Sequence, residues 1–90
     1  MSQEELQAAS NALRRAAELV ADDDVEKRIY NQSNEMAKLA TSDRGPDQSR
    51  LDRHLHSLQT LAEDADGEAR AAIEEALEYI RSYRETVAGV

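Results

Sequence analysis

Ninety residues with nineteen carboxylates against eleven basic side chains, a net charge of −8, make one small acidic domain with a modest core. The lack of cysteine excludes a disulfide framework, a thiolate zinc site and a cysteine nucleophile. A polyanionic nucleic-acid partner is disfavoured because phosphate contact needs clustered cations.

Nine Leu and fifteen Ala, with no Phe or Trp, are a helix-forming mixture. Ser2 followed by Glu5 has the spacing of a capping box, and a first helix over 3–21 follows from it. Its inner stripe is Leu6, Ala9, Leu13, Ala16 or Ala17, and Val20. Asp22, Asp23 and Asp24 interrupt that helix, since aspartate favours helix starts over interiors. A second helix over 25–41 carries Val25, Ile29, Gln32, Met36 and Leu39 in a new phase. Val20 and Val25 would lie about 140° apart on a continued helix, so one seam cannot serve both.

The segment 41–49, TSDRGPDQS, holds the only proline and reads as a loop. A third helix over 48–65, capped by Asp47 or Ser49, buries Leu51, Leu55, Leu58, Ala62 and Ala65. Asp66 and Gly67 end it. A fourth helix over 67–87 places Ala69, Ile73, Ala76, Ile80, Tyr83 and Val87 on one face, opposite Glu74, Glu78, Arg81 and Glu85. These spans predict an all-α single domain over 1–90, an antiparallel four-helix bundle of two αα-hairpins.

Two helices carry more apolar surface than one inner stripe needs. Ala8, Ala12 and Leu19 fall on a neighbouring face of the first helix, and Tyr30 and Ala37 lie away from the seam of the second. Leu19, Tyr30 and Ala37 are therefore the candidate interaction surface, for a homodimer or for another protein. A closed monomer is the equally weighted alternative, because single exposed apolar residues are ordinary.

No residue pattern supplies a catalytic site, and no metal or cofactor is expected. His54 and His56, two apart, point about 200° from each other on a helix and cannot chelate together. His56 shares a face with Asp52 and Glu63, a set better read as solvated than as a divalent-ion site; His54 sits beside Leu61 at the edge of the buried stripe. The carboxylates Glu74, Glu75 and Glu78 and the aspartate run fall on outward faces or at a cap, without the contrasting environments that acid–base pairs need. Gln32 is the interior polar candidate, since an apolar residue is expected between Ile29 and Met36. It would fix helix register or, with Tyr83, contact a ligand inside the bundle.

The opening MSQEEL lacks the basic start and apolar core of a signal peptide, and no apolar run approaches the ~20 residues of a membrane span. No membrane partner and a cytoplasmic location are expected. Residues 25–46 carry a net +1 where the segments on either side are negative, so Lys27, Arg28, Lys38 and Arg44 are placed to meet an acidic surface. Nine Arg against two Lys, many carboxylates and abundant Ala suit a salt-rich cytoplasm, where screening removes the self-repulsion of an acidic chain.

The opening SQEEL, the IYNQSNEMAKLA helix, the TSDRGPD loop followed by RLDRHLHSL, and the ending YRETVAGV are distinctive. In these segments the chain resembles the short, acidic, uncharacterised helical proteins of haloarchaea, a domain family of unknown function. The resemblance implies an all-helical fold in a halophilic cytoplasm and brings no activity with it. The expectation is a non-enzymatic helical interaction module, with a small-ligand or metal-binding bundle as the alternative.

Overall fold

The computed structural model describes residues 3–41 and 48–88, side chains at 3, 48–49 and 86–88 excepted. Ser2 of the opening capping box, Arg44, Asp47 and the side chains of Ser49 and Val87 lie outside the described residues; the backbone of Ser49, one of the two proposed caps, is already inside the third helix. Four helices follow in order: α1 (Gln3–Leu19), α2 (Asp23–Ala40), α3 (Gln48–Asp64) and α4 (Gly67–Ala88). No strand occurs among the described residues.

The break between α1 and α2 is made by one carboxylate. Asp22 holds an extended backbone, and its Oδ1 accepts the N–H groups of Asp24 at 2.9 Å and Val25 at 3.1 Å, two donors that a helix start leaves without partners. Asp23, Asp24 and Glu26 then put negative charge at the positive end of the helix dipole. The cap starts α2 at Asp23, two residues before the apolar stripe begins at Val25.

The turn between α3 and α4 uses two devices. Gly67 opens α4 with φ of +56°, in the left-handed region where a Cβ is strained, although a Cβ there would meet nothing within 4 Å. Arg70 of α4 reaches back, its Nε donating to the Ala62 carbonyl near the end of α3 at 2.9 Å. That bond satisfies one of the carbonyls a helix end leaves free.

The helices form an antiparallel four-helix bundle 40 Å long and 19 Å across. α1 packs closely on both α2 and α4, α3 packs on α4, and α2 meets α3 along the loosest seam. The diagonal pairs, α1 with α3 and α2 with α4, do not approach one another. Both hairpins therefore share one core, which runs from Leu6 and Leu13 through Ile29 and Met36 to Leu58, Ile73 and Ile80.

Side-chain size explains the unequal spacing. α1 buries Ala9, Ser10, Ala12, Ala16 and Ala17 beside only two large residues, Leu6 and Leu13. Small side chains let two helix axes come to about 8 Å, the short end of the usual range. Ser10 sits where α1 meets the α2 backbone: its hydroxyl donates to the Ser33 carbonyl of α2 at 2.8 Å, and the Ser33 hydroxyl donates to the Tyr30 carbonyl at 2.6 Å. Both serines are fully buried. Ala12, read from the sequence as extra outer surface, belongs to the core, in keeping with the packing of α1 against two helices, α2 and α4. α3 instead buries Leu51, Leu55, Leu58 and Leu61, which hold it further from its neighbours.

Ser10 thus tests the close α1–α2 contact. Ser10→Ala removes one hydrogen bond, and its expected cost is about 1 kcal/mol. Ser10→Leu must push the helices apart and should cost about 3 kcal/mol. Urea titrations followed by helicity separate the two; equal midpoints for both variants would show that α1 and α2 are not tightly spaced.

Candidate functional site

The loose α2–α3 seam is closed by a polar contact. Gln32, on the flank of α2 that faces α3, accepts a hydrogen bond from His54 of α3, with Oε1 and Nδ1 2.8 Å apart. An amide oxygen only accepts, so Nδ1 carries the ring proton and the neutral ring keeps Nε2 as an acceptor. Both side chains are half-buried. Burial lowers the His54 pKa below its ordinary 6.5; the nearby Glu35 carboxylate opposes the shift, and Arg50 adds to it. At neutral pH the ring is therefore uncharged, which suits a group pressed between two helices.

Gln32 does not meet Tyr83. Tyr83 is buried on α4, which lies diagonally across the bundle from α2. The partner that Gln32 does find lies 22 residues away on another helix, a distance that local periodicity does not encode. The position of His54 at the margin of the α3 stripe was the one signal available for it. Ser10 and Ser33 left no such signal, because a serine on a helix reads as a surface residue.

The opposite seam of the bundle, between α1 and α4, is apolar. Leu19 stands 43% exposed there, beside a shallow groove of about 530 Å³ lined also by Ala71 and Ala72 and rimmed by Glu68. Arg15 and Glu75 form an ion pair across it at 3.5 Å. Tyr79, 36% exposed, follows Ala72 by seven residues and Glu75 by four, so it continues the same flank of α4. Tyr30 is 50% exposed on α2, and Ala37, two turns further on, is half-buried. Neither Tyr30 nor Ala37 lines the groove beside Leu19.

The polar residues of α3 are dispersed. Asp52 and His56 border one groove with α4, but Asp52 is paired with Arg84 at 2.6 Å, and Glu63 borders a different groove nearer the turn. Among the described residues no three His, Asp or Glu side chains gather as metal ligands would. No helix among them is long and apolar enough to cross a membrane.

The chain belongs to the family of unknown function DUF7553, whose sequence profile matches residues 1–86. No curated protein and no solved structure matches it.

The Gln32–His54 contact has a pH signature. Because the folded-state pKa of His54 lies below that of the unfolded chain, its contribution is complete above pH 6.5 and is lost as pH falls through the folded value. His54→Gln should cost about 1 kcal/mol at pH 8 and progressively less towards pH 5.5. Denaturation of both proteins across that range checks it; a pH-independent difference would mean that His54 is not held neutral in the seam.

Proposed function

We propose that this member of a family of unknown function is a non-enzymatic helical interaction module that docks a second copy of itself on its α1–α4 face, in a salt-rich cytoplasm. The observation that carries this reading is the exposure of Leu19 beside a groove floored by alanines of α4, with Tyr79 exposed further along the same helix. Small residues admit a knob from another chain, and the two larger side chains supply the apolar area that burial rewards.

The rim favours a second copy over an unrelated chain. Arg15 lies on one side of the groove and Glu68 and Glu75 on the other. With Arg15 and Glu75 paired within each chain, the rim carries both signs of charge, as a patch that meets its own copy about a two-fold axis needs. A face up to 40 Å long and 19 Å wide is of the order of the ~800 Å² that each partner of a standard interface buries. Three of the polar groups suited to acid–base chemistry have structural partners: His54 bonds Gln32, Asp52 pairs with Arg84, and Asp22 caps α2.

High salt would assist such pairing. Two chains of charge −8 repel one another at long range, and at molar salt the screening length falls to about 3 Å. Light scattering, with circular dichroism on the same samples, from low salt to several molar potassium chloride should find a folded dimer at the high end. Leu19→Glu should weaken it by about 2 kcal/mol, roughly thirtyfold in Kd, while Tyr30→Glu leaves it intact. A folded monomer at every salt concentration would overturn the proposal, and dissociation by Tyr30→Glu alone would move the contact to α2.

A further inference from the structure

We infer that the groove between α2 and α3 is a binding site for a small oxyanion, a phosphate group free or on a compact organic molecule, with Arg28 as its charged anchor. The groove encloses about 330 Å³, at the lower end of the roughly 300–1,000 Å³ range of small-ligand sites. It exists because α2 and α3 are the pair held least closely.

Its lining is unlike the rest of this acidic surface. Arg28, Asn31 and Gln32 of α2 face His56 and Ser57 of α3, and none of the residues around the groove is a carboxylate. The grooves at α3–α4 include Asp52, Glu63 or Glu74, the α1–α4 groove includes Glu68 and Glu75, and the cavity at the bundle end includes Asp22, Asp64 and Asp66. Among the described residues of this acidic chain, no carboxylate lines this donor-rich groove, so an anion entering it meets no like charge at contact range.

The donors there are also unspent. Among the described residues Arg28 has no ion pair, and the side chains of Arg28, Asn31, His56 and Ser57 have no hydrogen-bond partner. Gln32 uses its Oε1 on His54, which fixes the amide and leaves the two Nε2 hydrogens to donate. A guanidinium, two amide NH₂ groups, an imidazole and a hydroxyl together match the several acceptor oxygens of a phosphate, and a guanidinium can take two of them at once. Leu61 supplies an apolar wall for whatever carries the phosphate. Glu35 acts on His54 further along α2 and does not line the groove.

The site lies across the bundle from the α1–α4 face, so it can be tested apart from self-association. The full chain, labelled with nitrogen-15, would be titrated with potassium phosphate and separately with glycerol phosphate, against potassium chloride at matched ionic strength. Saturable shifts centred on Arg28, Asn31, His56 and Ser57 are expected with both phosphates and not with chloride. Arg28→Glu should lower the affinity at least tenfold and Arg28→Lys less, because an ammonium cannot grip two oxygens in one plane. Both substitutions are at an exposed position, and circular dichroism verifies that the variants fold. Binding should persist in Leu19→Glu. Shifts that fail to saturate, that follow ionic strength alone, or that survive Arg28→Glu unchanged would overturn the inference.

Discussion

The structure depends on how closely α1 can be approached. With Ala9, Ser10, Ala12, Ala16 and Ala17 buried, α1 offers a nearly smooth surface to two neighbours at once. Each short contact gains dispersion between backbones more than between side chains, and such contacts tolerate no added methylenes. Ser10 is suited to this position because its hydroxyl replaces a lost water with the Ser33 carbonyl at no cost in volume.

The close α1 contacts shape the remaining two seams. With α2 and α4 both drawn against α1, the leucines of α3 can fill the space beside α4 or beside α2 but cannot close both gaps equally. The residual width falls between α2 and α3, where the side chains span it with a hydrogen bond between Gln32 and His54 instead of an apolar contact. Such a bond stabilises less than a packed leucine pair would, yet it is directional and holds the two helices in one register. The polar seam and the apolar α1–α4 groove are thus two results of one packing choice, set on opposite sides of the bundle.

Much of the architecture is legible from residue spacing, because burial repeats at the helical period. The stripes of α3 and α4 from Leu51 to Ala65 and from Ala69 to Tyr83 are buried as spacing predicts, and the aspartate run marks a real break. What spacing conceals is which helices meet. Ala12 lies off the Leu6–Leu13 stripe, yet it is buried because α1 has neighbours on two sides. Gln32 stands out as a polar residue on an apolar stripe, but its partner depends on the order of helices around the bundle. Leu19 and Tyr30 share an apolar character, yet only Leu19 lines the α1–α4 groove. Local pattern reports how much of a helix is covered, and only the tertiary arrangement reports by what.

Charge enters this fold as a condition and not as a support. The ion pairs Arg15–Glu75, Lys38–Glu35 and Arg84–Asp52 join partly or largely exposed side chains, a class of contact worth about 0–1 kcal/mol. The core contains no charged side chain among its buried residues, and no buried side-chain polar atom there lacks a hydrogen-bond partner. Salt therefore acts on charges that lie outside the core. Added electrolyte lowers the repulsion among surface carboxylates and, through exclusion from apolar surface, strengthens burial where the salt is kosmotropic. Both effects favour compactness. The three surface pairs named above contribute little, so an acidic surface of this kind gains most where the solvent supplies screening.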